Sequence, residues 1–201
     1  MMNPESRKQK AESGRGFTLI ESLVAIAILM LSVAGPLYAA DRAIVAASIA
    51  RDQLTASYLA QEAIEHVRLL RDNAYLSQYK DNAASASSAG WGDFQSAIEG
   101  QCLMSASRVC SVDTSVAPDR YGFGPSASVY TCGSTCAPLQ YVDNIWAPYT
   151  QSSGGATTRF TRTLQVSPVT SSDEYIVSTV TWNYRGTTYT VKITDHLTPW
   201  Q

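Results

Sequence analysis

Two kinds of side chain in this sequence are placed to do chemistry: a carboxylate, Glu21, within an apolar stretch, and a set of four cysteines. A carboxylate among apolar residues is unfavourable when unpaired and tolerable when it meets a cation, so Glu21 is a candidate for a selective ion pair. Cysteine thiolates either ligate a metal ion or join as disulfides. The ion pair of Glu21 and the fate of the cysteines both depend on which side of a membrane each segment occupies.

The apolar stretch around Glu21 predicts a membrane-spanning helix over residues 17–40. The nineteen residues at 22–40 carry no formal charge, and at about 1.5 Å per residue they cover roughly the hydrocarbon core of a bilayer. Residues 1–16 hold four basic and two acidic side chains, and a basic flank keeps its end in the cytoplasm. A secretory signal begins similarly but is cut behind small residues spaced as A-x-A. Residues 37–40 place a large residue where a small one is needed, so that signal is the second interpretation.

The sequence GFTLIE at residues 16–21, between a basic leader and an apolar run, resembles the processing motif of type IV prepilins and type II secretion pseudopilins. The resemblance implies cleavage between Gly16 and Phe17 by prepilin peptidase, followed by methylation of the Phe17 amine. It covers residues 7–40 closely, and the apolar run is most similar to minor pilins and pseudopilins. Cleavage places a cationic amine four residues before Glu21. In a filament, Glu21 of one subunit is then expected to pair with the Phe17 amine of its neighbour.

Gly35 and Pro36 lie within the apolar run. Proline removes one intrahelical hydrogen bond and clashes with the preceding turn, while glycine lowers helix propensity. A simple kink is one interpretation. The resemblance to pilins implies the other, a weak point at which the helix bends or melts during assembly.

Residues 41–80 predict an amphipathic helix that follows the membrane segment. Its apolar side chains recur at steps of three and four and mark one stripe: Ala56, Leu59, Ala60, Ala63, Val67, Leu70 and Ala74. Such a stripe packs on a core, which we expect to be a sheet formed by the end of the chain. His66 falls between charged neighbours and is predicted to be solvated.

Residues 81–158 predict a long variable loop region, because small polar residues dominate it. Within it, WGDFQSAIEG predicts one or two helical turns with Asp93 as the cap. The cysteine gaps of seven and three residues differ from the paired C-x2-C knuckles of zinc ribbons, and an exported segment permits oxidation. Of the three possible pairings, Cys102–Cys110 and Cys132–Cys136 are expected, because each closes a small loop.

Residues 159–201 predict an antiparallel sheet from three segments rich in Val, Ile, Thr and aromatic residues. Arg185-Gly186 fits a two-residue hairpin turn. In that register the expected cross-strand pairs are Trp182–Tyr189, Val180–Val191 and Ser178–Ile193. The opposite, wetter face is expected to hold Thr188, Thr190, Lys192 and Thr194. His196 has no evident partner.

These segments together predict an α+β fold: a long N-terminal helix packed on about three or four antiparallel strands, with a disulfide-bearing loop between them. Residues 41–201 are expected to form one globular domain of the pilin type. Without the leader the chain has eleven basic and fifteen acidic residues, a net charge of −4. The sequence contains no basic stripe, so it does not predict nucleic-acid binding. No cofactor or metal is expected.

Three functions are compatible with these features. The resemblance favours a structural subunit, most similar to a minor one, of a type IV pilus or a type II secretion pseudopilus. The second is a membrane-anchored binding module whose Tyr- and Trp-bearing loops recognise a ligand outside the cytoplasm. The third is an exported enzyme, which the sequence disfavours because it has no nucleophile elbow, P-loop, dinucleotide glycine motif or H-E-x-x-H and only two isolated histidines.

The filament interpretation also implies partners and a location. The partners are prepilin peptidase and methylase, other pilin subunits, the inner-membrane assembly platform and the lipid bilayer. The chain is expected to be a single-pass inner-membrane protein with a cytoplasmic leader, and later part of a periplasmic or cell-surface filament. The mature amino terminus separates the three functions: Phe17 for the filament subunit, an intact leader for the binding module, and a start near Asp41 for the enzyme.

Overall fold

The computed structural model describes residues 16, 18–81, 83–116, 128–133, 135–143, 147–151 and 154–199. The predicted methylation site, Phe17, lies outside these residues. The chain divides into two compact units, Met1–Ser48 and Ile49–Gln201. The second unit contains both sheets and both disulfides, and the predicted α+β class is confirmed.

Helix α1 spans Leu19–Asp81. In the first unit its large apolar side chains, from Leu19 to Tyr38, are exposed. In the second unit the predicted apolar stripe is confirmed, because all seven of its residues are buried. This part of α1 therefore packs through the face that the spacing of apolar residues predicts.

A second helix, α2, spans Ala86–Cys102 within the predicted loop region, and a 3-10 turn follows at Met104–Ala106. In α2 the side chains of Trp91, Phe94 and Ile98 recur at helical spacing and are buried in the core. The sequence predicts only one or two turns here. The helix is longer because its small first residues pack directly against α1.

That contact involves Gly90 and Asp93. A Cβ atom on Gly90 would lie 2.7 Å from Cα of Tyr75, so the two helices approach too closely for any larger residue. Asp93 does not cap α2, contrary to the prediction. It lies inside the helix, where its Oδ2 accepts a hydrogen bond from Gln78 Nε2 of α1 (2.6 Å).

Gly90→Ala should lower the free energy of unfolding by about 1–3 kcal/mol, because the added methyl group meets main-chain atoms that cannot move independently. Gly92→Ala is the matched control. A Cβ atom at Gly92 meets no described atom outside the backbone of α2 within 4 Å, so alanine there should stabilise the helix by about 0.4–1 kcal/mol. Denaturant unfolding of the three proteins measures both changes. Equal stabilities for the two variants would contradict the close approach.

The main sheet is formed by five strands: β1 (Cys110–Val112), β2 (Val129–Thr131), β6 (Phe160–Thr170), β7 (Asp173–Tyr184) and β8 (Thr187–Leu197). All pairs are antiparallel, in the order β2-β1-β6-β7-β8. The three long strands are the predicted ones. The sheet exceeds the predicted three or four strands because β1 and β2 are too short to show a periodic pattern.

A smaller sheet lies between β2 and β6 in the chain. Its strands are β3 (Gln140–Tyr141), β4 (Tyr149–Thr150) and β5 (Ala156–Thr157), in the order β4-β3-β5. Strands of two residues carry no period, so the sequence could not predict them.

The predicted hairpin between β7 and β8 is confirmed. Arg185 and Gly186 have φ angles of 51° and 85°, the left-handed conformations that a type I′ turn requires. All three predicted cross-strand pairs are present. The four residues predicted for the wetter face are exposed, while Tyr189, Val191 and Ile193 pack against the core.

Candidate functional site

The start of α1 is organised by Thr18, which precedes the first helical residue. The Glu21 backbone N–H donates to Thr18 Oγ1 (3.3 Å), and the Ser22 N–H donates to the Thr18 carbonyl oxygen (3.1 Å). This is the arrangement of a helix N-cap, and the T-x-x-E spacing of residues 18–21 is that of a capping box. The T-x-x-E spacing is the sequence signal from which this cap could be found.

Glu21 lies in the first turn of α1, where the helix dipole favours a negative charge. Its neighbours Leu19 and Ile20 are 80% and 70% exposed, and Leu23 and Val24 are more than half exposed. Gly16 is also exposed. The carboxylate therefore lies at the margin of an uncovered apolar surface, where a cation brought by a covering partner could pair with it.

Gly35 and Pro36 lie within the bounds of α1. Apart from the backbone of α1 itself, no atom of the described residues comes within 4 Å of a Cβ built on Gly35, so this glycine is not required for packing against them. Proline still removes the hydrogen bond that its N–H would donate. A weak point at this position stays a prediction.

The cysteines form two disulfides in the second unit. Cys102 at the end of α2 is joined to Cys110 of β1, with their Cα atoms 5.0 Å apart. Cys132 is joined to Cys136, with Cα atoms 4.8 Å apart. Within the described part of the chain no group of three or more His, Cys, Asp or Glu side chains could hold a metal ion.

Non-reducing peptide mapping of the exported protein should join Cys102 to Cys110 and Cys132 to Cys136. Replacing Cys102 and Cys110 together by serine should lower the free energy of unfolding by about 2–3 kcal/mol, the chain-entropy value for so short a loop. Free thiols in the native exported protein, or zinc bound in stoichiometric amount, would contradict the disulfide assignment.

A buried polar cluster connects α1 to the main sheet. Arg162 of β6 has no exposed surface. It donates to Glu62 Oε2 (2.8 Å) and to the carbonyl oxygens of Leu59 (3.1 Å) and Val112 (2.7 Å). A buried cation is tolerated when it is paired in this way. These contacts hold β1 and β6 on the helix.

The prediction that His66 is solvated is wrong. Its side chain is buried, and its Nε2 atom lies 2.7 Å from Ser128 Oγ. Burial, and after it the positive charge of Arg162, lowers the pKa of His66, so the imidazole is neutral at pH 7. Because Ser128 is fully buried, this pair is inaccessible to a substrate and acts as a structural contact.

The expectation that His196 has no partner is also wrong. Its Nδ1 atom lies 2.9 Å from Asp173 Oδ1, and its ring packs against Tyr175 at a centroid distance of 5.0 Å. The three residues lie on the paired strands β7 and β8. The strand register places Tyr175 directly opposite His196. Asp173 lies diagonally across the two strands from His196, so the sequence did not reveal this contact.

Comparison with protein families finds the prokaryotic N-terminal methylation motif at residues 13–35. No curated protein and no solved structure matches the chain significantly. Among the described residues, α1 is long and apolar enough by length and composition to cross a membrane, and together with the motif it fits a single-pass protein anchored in the inner membrane. Residues 13–35 are thus the signal of type IV pilins and pseudopilins, and this motif supports a pilin-like or pseudopilin subunit.

Proposed function

We propose that this chain is a structural subunit, of the minor class, of a type IV pilus or a type II secretion pseudopilus. Prepilin peptidase removes residues 1–16 and the Phe17 amine is methylated. The mature chain then enters the filament from the inner membrane through its N-terminal helix. The chain has no catalytic role in this proposal. The observation that carries the proposal is the methylation motif at residues 13–35, with Glu21 in the first turn of the helix that follows.

The exposed surface of α1 supports assembly through this helix. In the first unit its apolar side chains are uncovered. In the second unit one face is buried, yet a further set of large apolar side chains is exposed: Leu54, Tyr58, Leu69, Leu76 and Tyr79. An apolar surface of this kind marks a contact with a membrane or with another protein. A bilayer covers the first set before assembly, and neighbouring subunits cover both sets in the filament.

The partners in this proposal follow from the same features. Prepilin peptidase cleaves the Gly16–Phe17 bond, and the methylase acts on the Phe17 amine that cleavage creates. The inner-membrane assembly platform receives the membrane-anchored subunit, and other pilin subunits contact its helix. The final location is a periplasmic or cell-surface filament.

Site-specific photocrosslinking tests the proposal. A photoreactive phenylalanine analogue at Tyr58, which is 63% exposed on α1, should crosslink to another pilin-like subunit in cells that assemble filaments. The same analogue at Thr190, exposed on the outer face of β8, is the control and should crosslink at least about tenfold less. Mass spectrometry identifies the partner. Absence of a pilin-like partner at Tyr58, or equal yields at the two positions, would contradict assembly through α1.

A further inference from the structure

Glu174 is a buried carboxylate that the proposed function does not use. It lies at the start of β7, opposite Pro168 of β6 and Leu197 of β8. Its side chain has no exposed surface. Helix α2 lies over it and supplies Gln95, whose Nε2 atom donates a long hydrogen bond to Glu174 Oε2 (3.4 Å).

The surroundings of Glu174 disfavour its charged form. No described residue donates a hydrogen bond to its Oε1 atom. The charges that act on it, Glu99 of α2 and Asp173 of β7, are both negative. Burial therefore raises the pKa of Glu174 to about 7, opposed only by the Gln95 amide and reinforced by the two carboxylates.

Basic side chains of the adjoining elements contact other acids: His196 of β8 lies beside Asp173, and Arg68 and Arg71 of α1 pair with Asp195 and Asp72. Arg162 of β6 pairs with Glu62, and Lys192 of β8 is exposed. The charges that act on Glu174 include no cation. The residues paired with Glu174 on its two neighbouring strands are apolar. Ionisation of Glu174 would thus bury a carboxylate with one weak hydrogen bond and with no counter-ion among the described residues, which is unfavourable.

We propose that Glu174 is a proton-operated latch, which holds α2 on the sheet when the carboxyl group is protonated and loosens it when the group ionises. The folded pKa is higher than the unfolded value of 4.5. The stabilisation is therefore complete below about pH 4.5 and is lost as the pH rises through about 7. Helix α2 therefore stays on the sheet in acid and separates from it more often in base.

The opening is local, because other contacts retain α2. Its last residue is tied to β1 by the Cys102–Cys110 disulfide. In its second turn, Trp91 Nε1 donates to the Ser171 carbonyl oxygen (2.8 Å). Water reaches ionised Glu174 only if α2 moves away from the sheet at Gln95, which lies between Trp91 and Cys102. We therefore expect increased opening of α2 without unfolding of the domain.

Hydrogen exchange of the full chain in detergent, followed by mass spectrometry from pH 5.5 to 8.5, tests the latch. Protection factors, which correct for the intrinsic pH dependence of exchange, are compared for residues 86–101 and for the β7–β8 hairpin. In the wild type, protection of α2 relative to the hairpin should fall about tenfold or more across this range. In Glu174→Gln, which is neutral at every pH, the ratio should stay constant. In Glu99→Gln the midpoint should move to lower pH, because one repelling charge is gone.

A constant ratio in the wild type, or the same pH profile in the wild type and Glu174→Gln, would overturn the proposal. If Glu174→Gln does not fold, Glu99→Gln decides the question alone. A midpoint at lower pH supports the latch, and an unchanged midpoint overturns it. The test does not involve filament assembly, so its result is independent of the proposed function.

Discussion

Replacement of Gly16 by valine should leave the chain unprocessed, with its leader attached, and exclude it from filaments. The peptidase must bring the bond between Gly16 and Phe17 into its active site, and a β-branched side chain next to that bond obstructs the close approach of the backbone. We expect the mature form to fall by at least about tenfold, to the limit of detection. Immunoblots of membrane and sheared-filament fractions measure both forms.

The matched control is Gly14→Val, which adds the same side chain two residues upstream in the leader. It should be processed and assembled as the wild type is. Mature protein of normal size from Gly16→Val, or an equal defect in both variants, would show that Gly16–Phe17 is not the processing site.

Glu21→Gln should be cleaved and inserted normally but should enter filaments about tenfold less. The amide keeps the size of the side chain and lacks its charge, so membrane insertion becomes slightly easier. The neighbour's Phe17 amine then lacks its counter-charge in an apolar environment, which is a large cost in assembly. The filament fraction should fall, while the folding of the second unit stays unchanged.

The control for that experiment is Glu65→Gln. Glu65 is an exposed α1 carboxylate whose only described ion pair is the surface contact with Arg68 (2.6 Å), and such pairs contribute little. The Glu65→Gln variant should enter filaments in the same amount as the wild type. Equal incorporation of Glu21→Gln would remove the assembly role from Glu21 and leave it as a capping residue at the helix start.

The sequence predicts those parts of the fold that follow a local period. The α1 stripe repeats at three and four residues, and the β7–β8 hairpin combines alternation with Arg185-Gly186 at its turn, so both could be located in advance. Helix α2 could not be delimited, because its first turns consist of small residues whose packing depends on Tyr75. Strands β1 and β2 could not be located either, because three residues are too few to show a period.

The functional residues also differ in how far the sequence predicts them. Gly16 and Glu21 belong to a contiguous motif and are therefore visible in the sequence, as is the T-x-x-E spacing that makes Thr18 a cap. Glu174 is different. In sequence it lies at the start of an ordinary strand, and its burial and its hydrogen bond from Gln95 of α2 arise only in the folded domain. Side chains that acquire their environment from distant elements cannot be assigned from local pattern.

The mature amino terminus of the protein, isolated from the membrane, soluble exported and sheared-filament fractions, tests the central claim most directly. Edman sequencing or mass spectrometry should find a chain that begins with N-methylated Phe17. A start near Asp41 would indicate an exported protein released by an ordinary signal peptidase, and an intact Met1 would indicate an anchored protein outside the pilin pathway. Either of the last two results would contradict the account.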